Sequence, residues 1–358
     1  MSNYVLPTKM KALRKIQNAP GAELVTIPIP RVASDDVLIK VEAASICGTD
    51  LHIMEWDSWS SNRVKAPITL GHEMAGTVVA TGTNIDPTLI GEFVSCESHI
   101  TCGSCSQCES QTPHMCPNTE IIGVDRDGCF AEYISVPEKV LWHTNRSKLN
   151  PKIAALQEAF GGAVRASLAH NPRGKTVAVL GCGPIGLFSI AILKAAGASK
   201  VIATDTNEYR LSLASEMGAD SVFNPASDAN CGNTLEWLHK ASKHNIDIVV
   251  EMSGAPVSIK TAFKAVRQGG YVNLFGIPPR PVEIDIADDL IFKNITILAL
   301  NGREIFDTWH KTRELLESGL VDLNPLISHT LPLDRAMEAF DLLKNGKACK
   351  ILIEPNNS

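Results

Sequence analysis

The chain has 358 residues, 44% of them hydrophobic and 20% charged, and its 33 Lys and Arg against 39 Asp and Glu give a formal net charge of −6. At roughly 150 residues per domain this is room for about two domains, each able to bury a core without staples, and the composition excludes a disordered chain. The basic residues are scattered and aromatic residues make up only 5%, so nucleic acid, which needs a basic patch, is not an expected partner.

Residues 1–15 carry no apolar core of a signal peptide. The one long uncharged run, 177–193, holds Gly181, Gly183, Pro184 and Gly186 in its first half, so no membrane-spanning helix is expected. Ten cysteines sit in a long chain, and four of them crowd into fifteen residues. That pattern points to bound metal in a reducing cytoplasm rather than to a disulfide framework.

In chain order, β-branched runs bounded by turn residues predict strands at 36–41, 76–80 and 131–136. From residue 151 the texture changes. Apolar segments at 176–180, 201–204, 221–223, 246–251, 271–275 and 295–300 alternate with helix-length stretches. Six strands with helical crossovers predict an α/β fold with a parallel, doubly wound sheet. Gly269-Gly270 and Pro278-Pro279 are read as its late turns. Helices are expected near 309–318 and 333–344, followed by a last strand at 350–353.

Three constellations carry chemistry. Cys102, Cys105, Cys108 and Cys116 read C-x2-C-x2-C-x7-C. Four thiolates on a turning loop can close a tetrahedron around zinc, and a closed site is structural because it leaves no position for substrate. An iron–sulfur cluster is the competing occupant. Next, Gly181-Cys182-Gly183-Pro184-Ile185-Gly186 is G-x-G-x-x-G, placed between the strand 176–180 and a helix expected over 185–196. Gly181 permits a tight turn, Gly183 lets the backbone approach a pyrophosphate, and Gly186 lets helix and strand pack closely. The helix N-terminus offers its N–H groups to the phosphates. Asp205, nineteen residues after Gly186, is placed to accept the adenosine ribose hydroxyls and repel a 2′-phosphate, which favours NAD over NADP. Arg210 is the nearby group able to receive such a phosphate. Last, Cys47-Gly48-Thr49-Asp50, Gly71-His72-Glu73 and Glu158 bring a thiol, an imidazole and a carboxylate, the composition of an open, catalytic zinc site with a fourth position for an alcohol oxygen.

These motifs occur in the order found in the zinc-dependent medium-chain alcohol dehydrogenases, and the chain resembles that family over nearly its whole length. The resemblance implies a GroES-like β-rich catalytic domain, residues 1–159 and 303–358, with a Rossmann NAD-binding domain, residues 160–302, inserted in it. It implies two zinc ions per chain, one catalytic and one structural, a small-molecule alcohol substrate, and a homo-oligomer, a tetramer. Segments 47–60, 99–103, 207–211, 251–256 and 302–309 are similar to the branch of the family that oxidises L-threonine. Carried over by position, Cys47 and His72 are catalytic zinc ligands, Glu73 and Glu158 compete as the carboxylate ligand, Thr49 and His52 relay the substrate proton, and His99 lies near substrate. Zinc would act as a Lewis acid toward a secondary alcohol.

The chain departs from that branch close to the site. Met54 stands where tyrosine is usual, Glu158-Ala159-Phe160-Gly161-Gly162-Ala163 replaces an acidic-Pro-x-Gly-Asn-Ala segment, and Arg165 falls where histidine is usual. A polyol or aminocyclitol therefore stands beside threonine as substrate, and Arg165 is a candidate either for pairing a substrate carboxylate or for refitting the pocket. A nucleotide-binding protein that had lost the chemistry would lack the open-site ligands, which are all present.

Overall fold

The strand Asp36–Ser45, buried at most of its positions, is the spine of the first half of the molecule. It pairs antiparallel with Glu73–Thr81, Tyr133–Pro137 and Lys350–Glu354. The sheet runs Leu141–His143, Phe93–Cys96, Glu73–Thr81, Asp36–Ser45, Lys350–Glu354, Ile327–Pro332. In this computed structural model, which describes residues 6–227 and 234–356, the chain divides into two compact units. The first comprises Met1–Ala159, Glu304–Trp309 and Ile327–Ser358, and the second Phe160–Arg303 and His310–Leu326. Of the N-terminal stretch read for a leader, residues 1–5 lie outside the described residues. The core of the first unit gathers Ile39, Val41, Ile53, Leu70, Met74, Phe130, Phe340 and Ile351, among others. Among the described residues no helix is long and apolar enough to cross a membrane.

In the second unit six parallel strands lie in the order Ser221–Phe223, Lys200–Thr204, Thr176–Leu180, Ile246–Glu251, Val266–Leu274, Thr296–Ala299. Numbered along the chain this is 3-2-1-4-5-6, the order of a doubly wound dinucleotide-binding sheet, whose switch point lies beside the first strand. Ile246–Glu251 is buried at every position, as expected of a parallel strand covered on both faces.

Several expectations change. The hairpin Lys9–Lys15 with Glu23–Pro28 was not expected, because Lys9, Lys11 and Lys15 make an alternating strand read as a polar segment. Ile327–Pro332, only part-buried along most of its length, was missed because it shows no clear apolar alternation. Gly269 and Gly270 are not a turn: they lie inside Val266–Leu274, where a Cβ at Gly270 would come within 2.9 Å of the Asp247 carbonyl oxygen. Gly270 allows a close strand-to-strand approach, while Gly269, at φ +65°, sits where the pairing register shifts between Val266 and Tyr271. The helix expected at 309–318 runs Asp307–Glu317, and the one expected at 333–344 divides into a 3-10 turn, Leu333–Arg335, and the α-helix Ala336–Lys344. Finally, His310–Leu326 belongs to the second unit rather than to a 303–358 block of the first. Thr312, fully buried, lies with Arg303 over the position where a Cβ on Gly161 would sit, so a bare glycine on the helix Gln157–Leu168 admits this packing.

Candidate active site

Cys47 follows the central strand and caps the helix Gly48–Glu55. Asp50, at the third position of that helix, reaches back to accept the Cys47 N–H at 2.9 Å and also accepts the Gly71 N–H at 3.2 Å. One buried carboxylate thus ties the two motif segments together. Gly71 turns with φ +90°, and a Cβ there would lie 2.5 Å from the Phe130 ring, so only glycine delivers His72 to this spot. Glu73 then opens the strand paired with the spine, its register partner being Ser45. The ligand atoms of Cys47, His72 and Glu73 all lie within 4.8 Å of one another.

The electrostatics are those of a cation site. Burial disfavours a charged His72, but Cys47 and Asp50, with a smaller contribution from Glu158, hold its pKa well above the usual value. Burial, with a smaller contribution from the Glu73 charge, pushes the Asp50 carboxyl up against His72 and the Cys47 N–H, which pull it down. His72 Nδ1 and Glu73 Oε1 are buried without a hydrogen-bond partner, while Glu73 Oε2 is 2.5 Å from Lys350 Nζ. Lys350 is fully buried and also donates to the Ile46 carbonyl oxygen at 3.2 Å. Against the cost of its burial, Glu73 and Cys47 raise its pKa. Sequence reading missed this lysine; its one signal is a charge directly ahead of the apolar run 351–353 in the strand Lys350–Glu354. Three protein ligands with two unpartnered donor atoms fit a catalytic zinc ion.

Glu158 is grouped differently from the sequence expectation. Its ligand atom lies within 4.8 Å of those of Glu97 and His99, and it accepts the Ser98 hydroxyl proton at 2.6 Å. His99 Nδ1 is 3.1 Å from Glu97 Oε1, and Glu97 Oε2 accepts the Trp309 indole N–H at 2.8 Å. Glu97, Ser98 and Trp309 were not singled out from the sequence, because only folding brings 97–99 to 309.

Thr49 Oγ1 lies 3.8 Å from Cys47 Sγ. His52, at the fifth position of the helix, has a side chain 60% exposed and its Nδ1 2.6 Å from Asp57 Oδ2. Asp57 also caps the helix Ser58–Arg63 by accepting the Ser60 N–H, and that bond, with the His52 contact, holds its carboxyl below the usual range. Arg165 lies in the second unit. Its Nη1 donates to the carbonyl oxygens of Asn301 at 2.6 Å and Gly302 at 3.5 Å, so the guanidinium braces that loop.

The four cysteines form a compact cluster. Cys105 Sγ is 3.5 Å from Cys108 and 3.7 Å from Cys116, and Cys116 is 3.5 Å from Cys102. A tetrahedron with zinc–sulfur bonds of 2.3 Å has edges of about 3.8 Å, whereas a disulfide would bring two sulfurs to about 2.05 Å. The Ser104 backbone N–H and the Cys116 side chain lower the Cys102 thiol to about 5. The set fits structural zinc.

In the second unit the three glycines of the nucleotide loop meet distinct demands. Gly181 has φ +98°, and a Cβ on it would strike the Ser253 backbone at 2.8 Å. A Cβ on Gly186 would sit 2.0 Å from the Gly181 carbonyl oxygen, while one on Gly183 meets nothing within 4 Å. That open face lies at the N-cap of the helix Pro184–Ala195, with Ile185 in its first turn. Asp205 accepts the N–H of Cys182 at 2.8 Å and of Asn207 at 2.9 Å, and Arg210 Nη1 stands 4.0 Å from its carboxylate.

A family model described as Alcohol dehydrogenase GroES-like domain matches residues 33–146, and one described as Zinc-binding dehydrogenase matches residues 184–318. The L-threonine 3-dehydrogenase of Bacillus subtilis (strain 168) is 44% identical over 348 residues, 97% of this chain and 99% of that protein. The L-threonine 3-dehydrogenase of Symbiobacterium thermophilum is 43% identical over 349 residues, 97% of this chain and 98% of that protein. Among solved structures, the 2R,3R-butanediol dehydrogenase of Bacillus subtilis matches with a TM-score of 0.86 at 27% identity, covering 97% of this chain and 100% of that chain. The chain belongs to the zinc-dependent medium-chain alcohol dehydrogenase family. It is an oxidoreductase with a GroES-like unit and a Rossmann-like unit, similar to L-threonine 3-dehydrogenases.

Replacing Cys105 with serine leaves three thiolates on the loop. The variant is expected to carry one zinc per chain instead of two, and to melt at a lower temperature, both read by metal analysis and calorimetry. Two zinc ions per chain with unchanged melting would contradict a structural site there.

Proposed function

We propose that the protein oxidises the β-hydroxyl of L-threonine to 2-amino-3-oxobutanoate with NAD as oxidant. The observation that carries this reading is the Cys47, His72 and Glu73 cluster, with unpartnered His72 Nδ1 and Glu73 Oε1, in a chain 44% identical to an L-threonine 3-dehydrogenase. Those three residues would hold the catalytic zinc, with Glu158 beside them; Cys102, Cys105, Cys108 and Cys116 would hold the structural one. When bound, zinc supplies Lewis-acid polarisation of the substrate hydroxyl, and the nicotinamide supplies the hydride acceptor.

The residues of the chain do the rest. Thr49 takes up the substrate's hydroxyl proton as it releases its own to His52, which passes a proton to solvent, its ring held at Nδ1 by Asp57. His99 faces the amino group of the substrate. Gly181, Gly183, Pro184, Ile185 and Gly186 seat the pyrophosphate, and Asp205 takes the ribose hydroxyls with Arg210 at its flank. Arg165 donates through Nη1 to the Asn301 carbonyl oxygen, which supports a role in holding that loop.

We further infer a homo-oligomer, a tetramer by family resemblance, working in a reducing cytoplasm. Thr296–Ala299 ends its sheet, and Ile286, Ile291 and Phe292 nearby in sequence are more than 60% exposed. An open strand edge beside exposed apolar side chains needs cover.

The substrate is tested by comparing kcat/KM for L-threonine, D-threonine, 2,3-butanediol, sorbitol and an aminocyclitol at one pH. L-Threonine should lead. A threonine value no better than the neutral diols would overturn the amino-acid assignment while leaving the alcohol chemistry in place. Cofactor choice is tested separately. NAD should be preferred to NADP at least tenfold, about 1.4 kcal/mol, because the Asp205 carboxylate repels a 2′-phosphate. Asp205→Ser should shrink that ratio; a wild-type preference for NADP would contradict the assignment.

A further inference from the structure

Glu251 closes the fourth strand of the parallel sheet and is fully buried, yet no step above uses it. Its carboxylate collects four donors. Oε1 accepts the Ser253 N–H at 3.1 Å and the hydroxyl protons of Ser253 and Ser258 at 2.5 and 2.8 Å. Oε2 accepts the Gly254 N–H at 3.1 Å. Its backbone carbonyl oxygen accepts the N–H groups of Phe275 at 3.0 Å and Gly276 at 3.1 Å, just past the fifth strand. One residue therefore holds two loops, the carboxylate taking 253–258 and the carbonyl taking 275–276. The loops also touch: a Cβ on Gly276 would lie 2.1 Å from the Gly254 nitrogen and 2.7 Å from Glu251 Oε2.

The strand order puts the switch point between the first strand and the fourth, where a dinucleotide lies across the carboxyl ends. The Met252 N–H donates to the Leu180 carbonyl oxygen at 2.8 Å, and the Ser253 nitrogen is 2.8 Å from where a Cβ on Gly181 would sit. The loop that Glu251 holds thus backs the glycine loop at that crevice. Asp205 follows the second strand and takes the adenosine ribose on one side, which leaves the nicotinamide half to the fourth and fifth strands.

We infer that Glu251 is a positioning residue for the dinucleotide: by fastening 253–258 and 275–276 to each other it shapes the nicotinamide side of the crevice. The adenosine side is left to the glycine loop and Asp205. The inference rests on the NAD reading and is independent of which alcohol is oxidised. Four donors converging on one side chain require a group that only accepts. Glu251→Gln keeps the size but offers one oxygen and an amide that itself donates, so at least one buried donor is left facing another and the loop is released.

The test compares the whole cofactor with its adenosine half. In the full-length, zinc-loaded protein, NADH is titrated by its fluorescence and AMP by calorimetry. Glu251→Gln should raise the Kd for NADH about tenfold and leave the Kd for AMP within about twofold. Amide hydrogen exchange reads the same residue without any cofactor: segment 252–258 should be protected in the wild type and exchange about tenfold faster in the variant, while segment 176–187 keeps its protection. Ser258→Ala removes a single donor and decides the matter if Glu251→Gln does not fold; it should raise the Kd for NADH about threefold, again with AMP unchanged. Equal weakening of NADH and AMP, an unchanged Kd for NADH, or unchanged exchange at 252–258 would overturn the inference. No titration contains an alcohol. A wild type that binds NADH but leaves L-threonine untouched would therefore remove the proposed substrate, while the variants still decide the role of Glu251.

Discussion

Four carboxylates, Asp50, Glu73, Glu97 and Glu158, are withdrawn from water within the first unit, each 5% exposed or less. A buried anion is costly unless it is paired or hydrogen-bonded, and the fold around these groups is arranged to meet that demand. Asp50 takes the backbone N–H groups of Cys47 and Gly71, Glu97 takes the Trp309 indole and His99, and Glu158 takes the Ser98 hydroxyl. Glu73 is paired on one oxygen by Lys350 and left with the other unpartnered beside His72. Among the described residues, Glu73 is the one of these four carboxylates with an unpartnered buried oxygen, and a cation between Cys47, His72 and Glu73 would meet it. This is why the site reads as a metal centre before any comparison is made.

The same demand explains the path of the chain. After the dinucleotide unit, Glu304–Trp309 and Ile327–Ser358 return to the first unit. The first of these carries Trp309 to Glu97 and the second carries Lys350 to Glu73. The return closes the apolar core around Ile351 and Phe340, and it also delivers the two donors that make buried carboxylates tolerable. Packing and charge balance are met by the same two returning segments.

Motifs whose function depends on local spacing were legible in the sequence. The cysteine cluster, the glycine loop and the six parallel strands follow from short-range pattern, and each lies where that pattern put it. Groups assembled from distant segments were not. Lys350 meets Glu73 across 277 positions and Trp309 meets Glu97 across 212. Arg165 was a candidate because it falls where histidine is usual in the resembling branch; its contact with the Asn301 carbonyl oxygen lies 136 positions away and carries no local signal. Strands with one wet face or many lysines, such as Lys9–Lys15, hid their period behind charge. Which carboxylate joins Cys47 and His72 was also beyond sequence, because Glu73 and Glu158 differ only in which buried donors they meet.

The central claim is that the first unit holds two zinc ions with different jobs, and anomalous diffraction at the zinc absorption edge tests it most directly. The full chain, crystallised after zinc loading, should show two peaks per protomer. One should be enclosed by Cys102, Cys105, Cys108 and Cys116, and the other should touch Cys47, His72 and a carboxylate, with Glu73 the expected one. A single peak, or a second peak remote from Cys47 and His72, would contradict the account.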